Sequence, residues 1–282
     1  MGSTILRVIL IVSLFLVITS LWGFYSSIRP PKIVSSLTPR ALKMDYEEVS
    51  FRTTDALTLH GWHIPARKPT KRTLILLHGY PADKGDILPP LSFLHEDFNL
   101  FLFDFRYLGK SEGSYSTAGA KEVRDLLAAI RFLKGRGVGE VGVWGFSMGG
   151  AVALMALQEA PEIQAVVSES SYASLAQMAL QLFRIPILDY PSAFLVGAWA
   201  KLFLGIDLRD VSPAQAVRGT RVPILLIHST TDAVIPFAHA ESLKKALADN
   251  PRAEFWFKDG FAHGQLGSDY QARLTHFFLK YL

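Results

Sequence analysis

No cysteine occurs anywhere in the 282 residues. That excludes disulfides, thiolate metal centres, a cysteine nucleophile and a lipid-modified cysteine. Acidic residues are missing from the first 43 positions, where Arg7, Arg29, Lys32, Arg40 and Lys43 are the only charges. The formal charge of +4 therefore belongs to that segment. The remainder holds 24 Lys+Arg against 25 Asp+Glu and gives no electrostatic ground for nucleic-acid binding. Internal repeats and low-complexity tracts are also absent. Half of the residues are hydrophobic, which is enough for one large α/β core.

From Val8 to Ile28 there is no charge of either sign, and most positions are Ile, Leu, Val, Phe or Trp. At ~1.5 Å per residue this run spans roughly the 30 Å hydrocarbon core of a bilayer. Trp22 and Tyr25 stand where interfacial aromatics sit. The expectation is a transmembrane or signal-anchor segment over residues 1–28. The alternative is a cleaved signal peptide with a secreted body. The length of the run and the lack of a small-x-small cleavage pattern argue against it. Positive charge is denser after the segment than before it, which favours a cytoplasmic body, whereas Arg7 and the free amine would serve an exported one. Pro30-Pro31 and scattered serines and bases read as a linker over 29–45.

From about residue 46 the pattern changes to β. Glu47–Arg52 and Leu57–Pro65 alternate and flank Thr53-Thr54-Asp55, a hairpin signal. Short apolar runs then recur at Thr73–Leu77, Leu100–Phe105, Val141–Trp144, Ala165–Val167, Ile224–Ile227 and Glu254–Phe257. Helical stretches separate them, the clearest being Glu122–Lys134 with Val123, Leu126, Leu127, Ile130 and Leu133 on one stripe. Continuous apolar strands alternating with helices predict a parallel sheet covered on both faces. One region breaks the alternation. Ala173–Arg184 and Pro191–Leu204 read as helices that are apolar nearly all round. The readings open to them are extra core packing, a lid with an acyl pocket, and a second membrane contact, although Lys201 interrupts the segment and it is too short to span a bilayer.

Chemistry is signalled by Gly145-Phe146-Ser147-Met148-Gly149, directly after Val141–Trp144. In G-x-S-x-G a strand ends, the chain turns sharply on the serine, and a helix begins. The glycines keep Cβ atoms out of the crowded turn. The hydroxyl is thereby exposed, and the first amides of the helix point towards whatever it attacks. Ala151–Gln158 reads as that helix.

A serine hydroxyl needs a general base, and the base an orienting acid. His263 lies in Asp259-Gly260-Phe261-Ala262-His263-Gly264, past the last apolar strand and before the last helix. His60 and His63 belong to the hairpin, His239 to the first turns of a helix, and His276 to the terminal helix. Asp232, after Ile224–Ile227, is the acid candidate, with Asp259 as its rival. The amides of Met148 and of Tyr80, in His78-Gly79-Tyr80-Pro81, are the candidate oxyanion donors. Pro81 has no N–H.

These pieces resemble the α/β-hydrolases, and among them the small membrane-anchored serine hydrolases of the "α/β-hydrolase domain" group. They are also similar to bacterial esterases and to the catalytic domains of prolyl-oligopeptidase-type peptidases. The resemblance rests on His78-Gly79, Phe103-Asp104-Phe105-Arg106 with Gly109-Lys110-Ser111-Glu112-Gly113, the Ser147 turn, Ser168-Glu169-Ser170-Ser171-Tyr172, and the Asp232 and His263 loops. Departures are Ser229, where many members have Gly, and Tyr107-Leu108 ahead of Gly109. The resemblance implies an α/β-hydrolase fold over 46–282, a mostly parallel eight-stranded sheet with helices on both faces, and a helical lid insert at about 171–212. It makes Asp104, Arg106 and Ser111 scaffolding for the oxyanion loop.

The implied activity is hydrolysis of carboxylic, hydrophobic acyl esters by Ser147, His263 and Asp232, with Tyr80 and Met148 holding the oxyanion. No metal or cofactor is required. The expected partners are a small-molecule or lipid acyl ester and the membrane. Alternatives are a peptidase or amidase on the same fold, and a non-catalytic ligand-binding protein. Gly137-x-Gly139-x-x-Gly142 matches a dinucleotide fingerprint only by letters, because it precedes a strand. His60-x-x-His63 lacks a third ligand for a metal.

Overall fold

A computed structural model describes residues 2–182, 189–265 and 267–282. Its helices are α1 (Gly2–Ile28), α2 (Lys84–Leu91), α3 (Glu122–Gly135), α4 (Met148–Ala156), α5 (Leu175–Leu182), α6 (Asp189–Trp199), α7 (Pro213–Ala216), α8 (Ala238–Ala246) and α9 (Tyr270–Tyr281). The strands are β1 (Glu47–Arg52), β2 (Thr58–Ile64), β3 (Thr73–Leu77), β4 (Asn99–Phe103), β5 (Val141–Phe146), β6 (Ile163–Glu169), β7 (Ile224–Ser229) and β8 (Ala253–Lys258). Two compact units result. One is Pro31–Ala173 with Pro213–Leu282; the other is the chain up to Pro30 with Ser174–Ser212.

The first unit is built on one eight-stranded sheet in the order β1-β2-β4-β3-β5-β6-β7-β8. β1 and β2 run antiparallel to their neighbours, and the other six strands are mutually parallel. All five residues of β3 are buried, as a central parallel strand covered on both faces requires. Its alternation divides the core. Ile75 and Leu77 join Phe51, Phe101, Phe103, Leu126 and Val152 on one side. Leu74 and Leu76 join Trp62, Trp144, Leu225, Phe277 and Phe278 on the other.

Several boundaries differ from the sequence pattern. The helix expected at Ala151–Gln158 begins at Met148 and ends at Ala156. Gly149 and Gly150 are poor helix formers in isolation, but nothing larger fits where they lie. β6 extends to Glu169, past the apolar run Ala165–Val167. Helix α3 carries two acids on its buried face, Glu122 and Asp125. Glu122 collects hydrogen bonds from Ser116, Thr117 and Gly119, and Asp125 pairs with Arg106.

In the second unit, α1 packs against α6 through Phe24, Val196 and Ala200, all buried. Trp199 Nε1 donates to Ser20 Oγ at 3.1 Å, and the rings of Phe24 and Phe203 stack at 6.2 Å. The helix expected over Ala173–Arg184 is described as α5, and its last residues lie outside the described range. The helix expected over Pro191–Leu204 starts at Asp189 and widens into a π-helical turn over Ala200–Leu204.

Candidate active site

Ser147 sits between β5 and α4 with φ 54° and ψ −116°, a conformation that L-residues avoid. Two backbone bonds hold it there. Its N–H donates to the carbonyl of Glu169 at 2.8 Å, and its carbonyl accepts from Ala151 N–H at 3.2 Å. The flanking glycines answer to crowding. A Cβ on Gly145 would lie 2.4 Å from the carbonyl of Gly149, and one on Gly149 would lie 2.5 Å from the carbonyl oxygen of Leu77. Met148 opens α4, so its N–H is among the amides at the positive end of the helix.

The loop after β3 abuts this turn. A Cβ on Gly79 would stand 3.3 Å from the Cβ of Ser147. His78, fully buried at the end of β3, fixes the loop's orientation. Its Nε2 accepts from Phe105 N–H at 3.1 Å, so the proton must reside on Nδ1. Nδ1 then donates to the carbonyl of Gly79 at 2.7 Å. Burial lowers the pKa of His78 and keeps this tautomer neutral. The Gly79 carbonyl and the Tyr80 N–H belong to one planar peptide unit and point in opposite directions. Anchoring the carbonyl on His78 therefore directs the Tyr80 amide to the other side.

Ion pairs brace the loop after β4. Lys84 Nζ lies 2.6 Å from Asp104 Oδ2, with both side chains buried. The other Asp104 oxygen accepts from Lys84 N–H, and Lys110 N–H also binds the carboxylate. Arg106 bridges Asp125 at 2.6 Å and Asp55 at 2.7 Å. Ser111 Oγ donates to the carbonyl of Asp104 and accepts from His60 N–H. None of these side chains contacts Ser147 in a described hydrogen bond.

Asp232 and His263, on the loops after β7 and β8, come together across 31 residues of sequence. Imidazole Nδ1 stands 2.7 Å from Asp232 Oδ2. Asp232 Oδ1 accepts from the N–H groups of Val234 and Ile235 at 2.8 and 2.9 Å. Burial alone would raise the pKa of Asp232, but the His263 and backbone hydrogen bonds outweigh it and leave the carboxyl below its ordinary value. His228 lies beside it with Nε2 at 2.8 Å from the Ile235 carbonyl, and burial holds it neutral. The rival acid, Asp259, is exposed and accepts from Thr230 Oγ1 at 2.6 Å.

The His263 ring packs on Phe146, next to Ser147, at 4.7 Å between centroids. Its neighbour Gly264 has φ +74°, and a Cβ there would come within 2.8 Å of the Phe146 ring. Ser229, one of the departures noted above, donates to the carbonyl of Phe261 at 2.6 Å and so ties the β7 loop to the His263 loop.

A cavity of about 170 Å³ opens among Gly79, Phe146 and Gly264, with Trp144, Glu169 and Tyr270 in its wall. It is smaller than the ~300–1,000 Å³ of whole-ligand pockets, so it accommodates one portion of a substrate. In the sequence Glu169 stands only as part of Ser168-Glu169-Ser170-Ser171-Tyr172, with no role of its own. Burial pushes its carboxyl up to about 7 against the hydrogen bonds from Tyr270 and Trp144. Only the spatial meeting with Tyr270, 101 residues away, reveals it. His60 and His63 lie three apart on β2 and so face opposite sides of the sheet. Among the described residues no group of three or more His, Cys, Asp or Glu stands close enough to hold a metal ion.

A mostly parallel sheet whose central strand β5 ends in a strained serine turn, with further polar groups on the following strand ends, defines a class of hydrolytic proteins. Known proteins agree. A family model described as the alpha/beta hydrolase fold matches residues 72–195. The uncharacterised protein YfhR of Escherichia coli K12 is 32% identical over 252 residues, covering 84% of this chain and 81% of YfhR. The alpha/beta hydrolase domain-containing protein WAV2 of Arabidopsis thaliana is 28% identical, covering 78% of this chain and 72% of WAV2. Among solved structures, the Pyrococcus furiosus esterase Pf2001 superposes with a TM-score of 0.75 at 28% identity, covering 90% of this chain and 98% of the esterase. The chain belongs to the α/β-hydrolase superfamily.

Proposed function

We propose that the protein is a serine esterase. Ser147 attacks an acyl carbonyl while His263 takes its proton. His263 then returns that proton to the leaving alcohol, and water releases the acyl group by the same route reversed. Asp232 holds the imidazole with its proton on Nδ1 and stabilises the imidazolium that forms. The amides of Met148 and Tyr80 receive the charge that develops on the carbonyl oxygen. The observation that carries this reading is the 2.7 Å Asp232–His263 contact, made by residues on consecutive strand-end loops and packed on Phe146 beside the serine. Likeness to the esterase Pf2001 supports the ester bond over the amide. The cavity of about 170 Å³ supports a short acyl or alcohol portion on that side of the serine. Fluorophosphonate labelling with p-nitrophenyl ester turnover tests the proposal. Both are expected in the wild type and neither in Ser147→Ala. Equal labelling of the two proteins refutes the role of Ser147, and faster turnover of aminoacyl anilides than of esters turns the reading to an amidase.

We propose further that α1 is an uncleaved single-pass anchor. Ser3–Ile28 is long and apolar enough to span a bilayer and only 11% buried. Trp22 and Tyr25 are exposed near its end, as interfacial aromatics are. An intact amino terminus on protein from carbonate-washed membranes is expected; a mature terminus beyond residue 28 overturns the reading.

A further inference from the structure

Helix α6 has an open face of unusual composition. Tyr190, Phe194, Ala198 and Leu202 recur every fourth residue along α6 and its π-helical continuation, forming one stripe. They are exposed, Tyr190 by 77%, Phe194 by 75% and Leu202 by 69%. Phe203 beside them is 58% exposed and stacks on Phe24 of α1. On the opposite side, Ala193, Val196 and Ala200 are buried. The helix is thus apolar on both sides, whereas a helix at a water-facing surface carries polar residues outward. A contiguous exposed apolar stripe marks a surface with an apolar partner.

The position of the helix within its own unit says what that partner is. α6 packs on the last turns of α1, through Ser20, Phe24 and Ile28. Those residues cover about 12 Å of helix length, and they include the stretch where Trp22 and Tyr25 mark the membrane–water boundary. Resting on the anchor as proposed above, α6 is therefore held at the depth of the bilayer interface. A groove of about 520 Å³ runs along the same stripe, lined by Ala176, Ala179, Tyr190, Phe194, Gly197 and Ala198 among others. Lys201, Asp207 and Arg209 border it, with Asp207 2.6 Å from the Arg209 guanidinium and 3.7 Å from Lys201 Nζ, so the charged groups gather at one rim of the apolar stripe.

We infer that α6 and its continuation lie in the membrane interface as a second contact, with Tyr190, Phe194 and Leu202 immersed among the acyl chains and Lys201 at the headgroups. Such a helix lies flat with its apolar side some 5–10 Å into the boundary region. The surface continues that of α1, so the two elements share one lipid boundary.

The absence of cysteine makes a clean test possible. Full-length single-substitution proteins Phe194→Cys, Leu202→Cys, Ile11→Cys and Ala248→Cys are nitroxide-labelled and reconstituted in phosphatidylethanolamine–phosphatidylglycerol vesicles. Collision with oxygen and with a water-soluble nickel chelate is then measured at each. Ile11 reports on α1, and Ala248 is an exposed position of the sheet unit. The expected result is an oxygen-to-nickel ratio at 194 and 202 several-fold above that at 248. Lipid-like access at 11 with water-like access at 194 and 202 overturns the inference and leaves the anchor standing. Water-like access at all four positions overturns both. Low access to both reagents at 194 and 202, with spin–spin broadening, identifies a second copy of the chain on this face and also overturns it.

Discussion

His78 offers the sharpest test of how the site is assembled. Its ring makes two hydrogen bonds with separable consequences. Nε2 accepts from Phe105 N–H, a link within the core, and Nδ1 donates to the Gly79 carbonyl, which orients the Tyr80 amide. Substitution with leucine removes both; substitution with asparagine retains a donor at the δ position and removes only the first. Leaving the buried Phe105 N–H unpaired costs about 1–3 kcal/mol in each variant, so their stabilities are expected to fall together. Turnover is expected to diverge. One oxyanion donor is worth about 10²–10³-fold in kcat. A mis-set Tyr80 peptide in His78→Leu is thus expected to approach that loss, whereas His78→Asn retains most of the rate. The assay is kcat for p-nitrophenyl butyrate at saturation, normalised to the folded fraction from chemical denaturation. Equal kcat in the two variants, after that normalisation, refutes the orienting role of the Gly79 carbonyl bond.

Other expectations follow from the same geometry. Asp232→Asn keeps an oxygen for the Val234 and Ile235 amides but presents an N–H to His263, forcing the wrong tautomer; kcat is expected to fall about 10⁴-fold, with little change in denaturation midpoint. Asp259→Asn, at an exposed carboxylate bound to Thr230, is expected to leave ester turnover within about twofold, by the rule for surface substitutions. Glu169 is raised by burial to about 7 from 4.5, so the folded state binds its proton more tightly than the unfolded chain. Its contribution to stability is full below the unfolded value and declines as pH rises to about 7. Glu169→Gln is expected to remove a slope worth up to about 3 kcal/mol over that window, read from urea midpoints against pH. Gly149→Ala drives a methyl into the Leu77 and His78 carbonyls and is expected to destabilise by about 1–3 kcal/mol or more, measured in the same way.

The sheet was largely legible because its strands are short apolar runs separated by helices, and the parallel arrangement follows from that alternation. Boundaries were less so. Glu169 and Ser168 extend β6 although neither is apolar: Glu169 is met by Tyr270 from 101 residues away, and Ser168 by Ser171 three residues on. Glu122 and Asp125 lie outside the apolar stripe of their helix, yet both are buried, since Arg106 and the turn at Ser116–Gly119 supply their counter-groups. Among site candidates, Ser147 announced itself through local crowding that only glycine tolerates. The choice of Asp232 over Asp259 could be argued from strand order, and the structure brings Asp232 to His263. The two jobs of His78 and the packing of α1 on α6 depend on contacts between distant residues, which no local pattern encodes.

The second unit is assembled from two stretches separated by more than a hundred residues, and β6 and β7 still pair side by side although one of those stretches leaves the chain between them. Whatever is spliced at that junction leaves the order of the strands untouched, so residues 174–212 form a cassette that can be exchanged without rebuilding the hydrolytic frame. Because Trp199 and Phe203 are matched to Ser20 and Phe24, a foreign cassette needs its own leading helix. In a chimera the two pieces have to travel together, and lineages that diverge in one are under pressure to co-vary in the other.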